Sequence, residues 1–217
     1  ALLGEYLDIG RSLKENVADV SYEINVALDA GKKVLAEGAQ GAFLDVIHGT
    51  QKFVTSSFTT AGSACANLGV GPARVDDVVG IVKAYMTRVG EGPMPTELKD
   101  EVGAHLSKIG KEFGTTTGRP RRCGWFDAVL AKKSMYLNGY TELAITKLDV
   151  LGGLDPIKIC TGYELDGQTL PYPPESTVEF ARCRPIYEEA EGWTEDITGA
   201  KSYGALPKAV RDYVERI

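Results

Sequence analysis

The chain has 217 residues, 43% of them hydrophobic and 25% charged, which is enough for a substantial core in one domain or one domain with a side lobe. Its formal net charge of −6 argues against nucleic-acid binding, because proteins of that class normally present a broad basic face. No apolar run approaches the roughly 20 residues that cross a bilayer, and the N-terminus lacks a signal-peptide pattern, so a soluble protein is predicted.

The first segment has apolar residues at helical spacing, with interruptions at Gly10 and Gly31. We predict two helices there, within a helical segment over 1–31. Lys33–Glu37 is predicted to be a buried strand that leads into E-G-A-Q-G. Gln40 in that motif offers a donor and an acceptor at a strand end, where open α/β sheets bind ligands. A turn glutamine bonded to the backbone is the alternative interpretation.

Hydroxyl side chains crowd the segment 45–62, D-V-I-H-G-T-Q-K-F-V-T-S-S-F-T-T-A-G. Some are expected to cap a helix that starts near Thr59, and others could hold a phosphate through the amides of that helix start. His48 is a candidate ligand or general acid. A hydrogen-bonded structural histidine is the alternative.

The later segments alternate between helical and strand patterns, which predicts an α/β fold. We expect helices at Val75–Val79, Thr96–Ile109, Trp125–Leu137 and from Pro207, strands at Gly80–Arg88, Glu142–Leu148, Ile157–Tyr163 and Pro185–Glu189, and a turn at Asp166-Gly167. Four cysteines without a C-x-x-C pair and two histidines indicate neither a zinc site nor a disulfide framework, so a reducing compartment is the default.

An anion-binding loop is predicted at Gly114–Asp127, G-T-T-T-G-R-P-R-R-C-G-W-F-D. Three threonines lie between glycines, and Arg119, Arg121 and Arg122 follow. Glycine allows close backbone approach, and guanidinium groups match carboxylate or phosphate oxygens two at a time. Three arginines together in an acidic chain suggest a local positive field that faces one specific anion. A solvated loop whose arginines pair with surface acids is the alternative.

A guanine-reading element is predicted at the end of the Glu142–Leu148 strand, T-K-L-D. Asp149 could accept hydrogen bonds from the N1–H and the 2-amino group of guanine, and the stem of Lys147 could lie along the purine face. The tetrapeptide resembles the N-K-x-D element of GTP-binding proteins, with Thr146 in place of asparagine. A strand end followed by a turn aspartate is the alternative.

Taken together, these motifs closely resemble the adenylosuccinate synthetase family over the whole of 1–217. The matching stretches are V-L-A-E-G-A-Q-G, H-G-T, V-T-S-S, T-T-A-G, V-K-A-Y-M-T-R-V-G-E-G-P-M-P-T-E-L, E-F-G-T-T-T-G-R-P-R-R-C-G-W-F-D and T-K-L-D-V-L. The resemblance implies a cytoplasmic, homodimeric ligase that joins IMP to L-aspartate with GTP and Mg²⁺ in AMP biosynthesis. It further implies an α/β fold in which helices flank a mostly parallel sheet, as in P-loop NTPases without their phosphate loop.

The resemblance also implies ligand roles, residue by residue. In IMP binding we expect Gln40, Thr55, Val89 and Arg119; in aspartate binding Thr115, Thr116, Thr117, Gly118, Arg119, Pro120 and Arg121; and in GTP binding Arg121, Lys147, Leu148 and Asp149. Residues 32–217 would then be the nucleotide- and substrate-binding core of a single unit over 1–217.

The sequence departs from the family pattern in several places. It contains neither the G-D-E-G-K-G-K loop, which supplies the catalytic aspartate and a magnesium contact, nor the catalytic histidine that follows. Ile47 and Phe58 replace a usual acidic residue and a usual asparagine. We therefore expect a fragment of a larger synthetase that lacks its catalytic residues and metal contacts and does not ligate alone, since general acid–base steps each contribute about 10²- to 10⁴-fold. The alternative is a guanine-nucleotide-binding module without ligase activity.

Overall fold

The computed structural model describes residues 2–114 and 118–217, in which short strands alternate with helices. The α-helices are α1 Leu2–Leu13, α2 Val20–Asp29, α3 Gly62–Leu68, α4 Glu101–Ile109, α5 Ala128–Asn138, α6 Thr177–Phe180 and α7 Lys208–Arg216. The strands are β1 Val79–Lys83, β2 Met86–Arg88, β3 Arg122–Gly124, β4 Phe126–Asp127, β5 Glu142–Thr146, β6 Ile157–Leu165, β7 Gln168–Leu170 and β8 Arg184–Ala190.

The strands form three sheets in this part of the chain. Strands β1 and β5 pair in parallel, with Val79 opposite Glu142 and Lys83 opposite Thr146. Strands β2 and β3 form an antiparallel pair. The long strand β6 pairs in parallel with β4 and antiparallel with β7 and β8. The predicted α/β class is confirmed, and the pairing of the described strands is mixed.

Helix α5 begins later than predicted because the residues predicted to start it belong to a strand and to the helix N-cap. Phe126–Asp127 pairs with β6 as strand β4, so the helix cannot include Trp125. Asp127 then caps the helix, and its carboxylate accepts the Leu130 N–H at 3.0 Å. An N-cap residue has extended dihedrals, which excludes it from the helix itself.

Helix α4 also begins later than predicted, because an N-cap residue precedes it. The predicted helix Thr96–Ile109 begins at Glu101, because Asp100 is its N-cap and accepts the Gly103 N–H at 3.0 Å. The two predicted helices within the first 31 residues, the turn at Asp166-Gly167 and the C-terminal helix are confirmed.

Three predicted elements around β1 and β5 are wrong in extent or type. Val75–Val79 is not a helix, since a single 3₁₀ turn at Pro72–Arg74 precedes an extended segment. The predicted strand Gly80–Arg88 is divided into β1 and β2. Strand β5 ends at Thr146 because Lys147 adopts φ 65°.

The predicted buried strand at Lys33–Glu37 is also wrong. The segment pairs with no strand among the described residues, and its Leu35 is 93% exposed. A short apolar run has no fixed partner in the sequence, so its burial depends on which elements cover it.

Two buried clusters hold the elements together. The larger cluster packs α4 and α7 against β3, β4 and β6, and contains Ala84, Tyr85, Leu106, Cys123, Trp125, Phe126, Val150, Leu151, Ile157, Ile159, Trp193, Val210 and Tyr213. The smaller contains Val129, Leu130, Cys160, Tyr163, Phe180 and Cys183. In the residues described, no helix has the length and apolar character needed to span a membrane.

Candidate functional site

The predicted anion loop is built on a short hairpin. The Arg121 N–H donates to the Glu112 carbonyl at 2.9 Å, and the Gly114 N–H donates to the Arg119 carbonyl at 2.9 Å. Gly118 adopts φ 61° and donates its N–H to the Gly114 carbonyl at 2.8 Å. A positive φ favours glycine, so this residue closes the hairpin at low cost. The predicted ligands Thr115, Thr116 and Thr117 lie outside the described residues.

A buried carboxylate lies beneath the hairpin. Glu112 is 1% exposed and accepts hydrogen bonds from the Lys83 ammonium at 2.7 Å, the Tyr85 hydroxyl at 2.6 Å and the Arg121 guanidinium at 2.9 Å. Burial alone would raise the pKa of Glu112, but these donors outweigh it and hold the pKa below its ordinary value. Glu112 is therefore ionised at neutral pH.

The predicted guanine reader lies next to this network. The Lys147 ammonium donates to the Gly110 carbonyl at 2.9 Å, two residues before Glu112. Burial and the Glu112 carboxylate raise the pKa of Tyr85, and Asp149 contributes in the same direction. The arginine hairpin and the T-K-L-D turn therefore lie in one neighbourhood.

Three cations consequently lie close together, because Lys83 and Arg121 contact Glu112 and Lys147 acts electrostatically on Lys83. We call Lys83, Arg121 and Lys147 the cationic cluster. Burial lowers the pKa of Lys83, Glu112 opposes that effect, and Arg121 and Lys147 add to it. With the carboxylates of Glu112 and Asp149 beside three cations, the neighbourhood keeps an excess of positive charge, which favours an anionic ligand.

The turn that bears Asp149 leaves its carboxylate available. Asp149 is exposed in the 3₁₀ turn Leu148–Leu151, and among the described residues no hydrogen bond to its carboxylate is found. The side chain of Leu148 packs against the larger core cluster instead. The His105 imidazole and the Val150 carbonyl are 3.0 Å apart, so helix α4 contacts this turn.

Arg122 does not join the cationic cluster, contrary to the sequence prediction. Its guanidinium forms a two-point ion pair with Glu97 at 2.8 and 2.6 Å and donates to the Gly92 carbonyl at 2.7 Å. Glu97 is its main electrostatic partner and raises the pKa of Arg122. The sequence prediction assigned all three arginines to one ligand because they lie close together in the sequence. Successive side chains of a strand such as β3 point to opposite faces. Arg122 is structural, and it fixes the loop after β2.

The predicted IMP residues are connected through that loop and its neighbours. Val89 follows Arg88, whose guanidinium donates to the Thr50 hydroxyl at 3.3 Å and the Phe53 carbonyl at 3.1 Å. The Thr55 N–H donates to the Leu44 carbonyl at 2.7 Å. Val89 and Thr55 therefore belong to adjoining segments near the start of β3.

Gln40 is connected to the same region through the residue that follows it. Its φ is 63°, and the carbonyl of the next residue, Gly41, accepts the Thr59 hydroxyl at 2.7 Å. Ile47 and Phe58, the two departures from the family pattern, are 59% and 55% exposed. Neither replacement is accommodated in the core.

Asp45 organises the hydroxyl-rich segment. It is fully buried, and its carboxylate accepts the backbone N–H groups of Ile47 at 2.9 Å, His48 at 3.0 Å, Thr59 at 2.6 Å and Thr60 at 3.3 Å. Burial raises the pKa of Asp45, but the four donors together lower it below its ordinary value. The segment that bears Thr55 is thus held by one carboxylate.

We expect Asp45→Asn to destabilise the protein by about 2 kcal/mol, because an amide nitrogen cannot accept from two of these donors. Chemical unfolding at pH 7 measures the effect. Asp19→Asn is the matched control, since Asp19 caps α2 by accepting the Tyr22 N–H and asparagine caps equally well. Equal stability of the two variants would contradict the role given to Asp45.

Several residues of the site were not predicted from the sequence. These residues are Lys83 and Tyr85, which lie two residues apart, and Glu112, which only the three-dimensional arrangement brings to them, together with Asp45 in the hydroxyl-rich segment. The one available signal was a charged residue directly after the apolar strand G-I-V, at Lys83. In residues 2–114 and 118–217, no three His, Cys, Asp or Glu side chains group together as a metal site.

These features define the class of the protein: an α/β protein in which a cationic cluster adjoins an exposed strand-end aspartate. The family model for adenylosuccinate synthetase matches residues 1–217. The chain belongs to the adenylosuccinate synthetase family.

Similarity to individual members is high along the whole chain. The adenylosuccinate synthetase of Methanothrix thermoacetophila is 75% identical over 217 residues, and that of Methanococcoides burtonii is 64% identical over 216 residues. Each comparison covers 100% of this chain, but 52% and 51% of the respective relative. The chain thus spans about half the length of these curated relatives.

A solved structure supports the fold. The fully ligated adenylosuccinate synthetase from Plasmodium falciparum is similar with a TM-score of 0.95 and 38% sequence identity. The match covers 99% of this chain and 51% of that chain. The family assignment does not favour the alternative of a guanine-nucleotide module outside the ligases.

Proposed function

We propose that the chain forms the IMP-, aspartate- and guanine-nucleotide-binding portion of an adenylosuccinate synthetase that ligates IMP and L-aspartate at the expense of GTP. The observation that carries the proposal is that Arg121, which contacts the buried Glu112, lies in one neighbourhood with Lys147, which contacts the Gly110 carbonyl, and with Asp149. This neighbourhood combines positive charge for an anion with an acceptor for a purine edge.

The guanine nucleotide fits this neighbourhood. The Asp149 carboxylate would accept from the N1–H and 2-amino groups of the base, the stem of Lys147 would lie along the ring, and the backbone at Leu148 would border it. Arg121 would contact the phosphates or a carboxylate of aspartate. GTP supplies the phosphoryl group that activates the purine for amination.

The remaining ligand roles follow the family pattern. Gln40, Thr55 and Val89 would bind IMP, with Arg119 reaching both IMP and aspartate, and residues 115–121 would enclose the two aspartate carboxylates. Mg²⁺, a homodimeric assembly and a cytoplasmic location are proposed for the whole synthetase.

Titration calorimetry of the 217-residue chain with GDP, ADP, IMP and L-aspartate tests the proposal. We expect GDP to bind far more tightly than ADP, and IMP to bind as well. Binding of GDP without IMP would favour the guanine-nucleotide module. The absence of GDP binding would contradict the proposal.

A further inference from the structure

Resting on the proposed function, we infer that Glu112 is a positioning residue that orients the Arg121 guanidinium toward the anionic ligand of the cationic cluster. None of the family roles stated above involves Glu112. The inference rests on its burial, on its contacts and on the charge balance around it.

Glu112 holds Arg121 at two points. Its carbonyl accepts the Arg121 N–H at 2.9 Å, and its carboxylate accepts from the Arg121 Nη1 at 2.9 Å. The first bond fixes the backbone of the hairpin, and the second fixes the direction of the side chain. A guanidinium has five N–H donors, so this arrangement leaves donors for a ligand. The Arg121 side chain is 30% exposed, so these donors can reach one.

The carboxylate is itself fixed from the opposite side. The Lys83 ammonium contacts both carboxylate oxygens at 2.7 Å, and the Tyr85 hydroxyl donates at 2.6 Å. Tyr85 is 1% exposed and Lys83 ends strand β1, so both partners are anchored in the sheet or the core. The sheet therefore determines the orientation of Arg121 through Glu112.

Orientation and charge predict opposite effects when Glu112 is neutralised. Glu112→Gln makes the site more positive by one unit, so electrostatics alone would strengthen the binding of an anion. Loss of the fixed guanidinium would instead weaken binding, because the freed side chain must be ordered again by the ligand. The sign of the change distinguishes the two explanations.

The test is a double-mutant cycle with GDP as the probe, measured by titration calorimetry of the 217-residue chain. We expect Glu112→Gln to weaken GDP binding about tenfold, and Arg121→Ala to weaken it by at least as much. If Glu112 acts through Arg121, the double variant binds GDP as weakly as Arg121→Ala alone. Tighter binding by Glu112→Gln, or multiplication of the two single effects, would overturn the inference.

Glu188→Gln is the matched control, because it also removes a carboxylate from a two-point arginine pair, with Arg216 at 2.6 Å, but on β8 and α7. It should leave GDP binding unchanged. If Glu112→Gln does not fold, Tyr85→Phe takes its place in the cycle, since it removes one donor to Glu112 and no charge. We then expect about a threefold loss that is absent in the Arg121→Ala background, and its persistence there would overturn the inference.

The two proposals fail in different ways. A wild-type chain that does not bind GDP contradicts the proposed function and this inference together. A wild-type chain that binds GDP, but whose Glu112 and Arg121 effects multiply, contradicts only the role of Glu112.

Discussion

Replacing Asp149 with asparagine is expected to weaken GDP binding about 100-fold, equivalent to about 3 kcal/mol, and to leave the weak binding of ADP unchanged. The carboxylate can accept from both the N1–H and the 2-amino group of guanine. The amide keeps one acceptor and presents its NH₂ to a second donor, which leaves two donors facing each other. Titration calorimetry with the two diphosphates measures the difference.

A change of base provides the positive control for this variant. Xanthine carries a carbonyl where guanine carries the 2-amino group, so the asparagine amide could donate to that carbonyl while accepting from N1–H. Asp149→Asn should therefore bind xanthosine diphosphate better than the wild type does. Asp212→Asn, on the exposed face of α7, should behave as wild type with all three nucleotides. Unchanged GDP affinity in Asp149→Asn would refute the guanine assignment.

The second large effect concerns the pH dependence of stability. Asp127 is fully buried at the start of α5, and burial raises its pKa from 3.8 to about 6 despite hydrogen bonds from the Tyr163 hydroxyl and the Leu130 N–H. The folded state thus retains this proton at pH values where the unfolded chain has lost it. The stability from Asp127 is fully present below about pH 4 and is lost as pH rises through about 6.

We expect a loss of about 3 kcal/mol between pH 4 and pH 7, since each unit of pKa shift corresponds to about 1.4 kcal/mol. Other carboxylates, including Asp45 and Glu112, titrate with the opposite sign because their pKa values are lowered. Asp127→Asn removes only the Asp127 contribution, so the difference in unfolding free energy between wild type and variant isolates it.

Urea unfolding of both proteins across this pH range makes the measurement. The stability of the wild type relative to Asp127→Asn should fall as pH rises. A constant difference would contradict the raised pKa. If the variant does not fold, the carboxyl carbon resonance of Asp127, followed by NMR in the wild type, should titrate near pH 6, and titration below pH 4 would contradict the account equally.

The helix boundaries depend on local signals that the sequence contains, whereas other errors in the predicted elements have no local remedy. The N-caps Asp100 and Asp127 are ordinary helix-start residues, and locating them as caps would have corrected both helix boundaries. Lys33–Glu37 failed because an apolar run does not determine which element covers it. The break between β1 and β2 could not be predicted, because no glycine or proline marks it in the segment I-V-K-A-Y-M-T-R.

The candidate site likewise combines residues that local motifs predicted with residues that those motifs missed. The hairpin and the T-K-L-D turn were found from their own motifs, and the structure brings them to one neighbourhood. Arg122 was assigned to the ligand because it adjoins Arg121, yet its partner Glu97 lies on a distant segment. Glu112 and Lys83 were missed for the same physical reason: a buried ion pair between distant residues leaves no periodic trace in the sequence.

The most direct test of the central claim is a crystal structure of the chain with GDP bound. The account predicts that the N1 and 2-amino nitrogens of guanine lie ~3 Å from the Asp149 carboxylate oxygens, with the diphosphate extending toward the cationic cluster of Lys83, Arg121 and Lys147. A nucleotide bound elsewhere, or a base that leaves Asp149 in solvent, would contradict it.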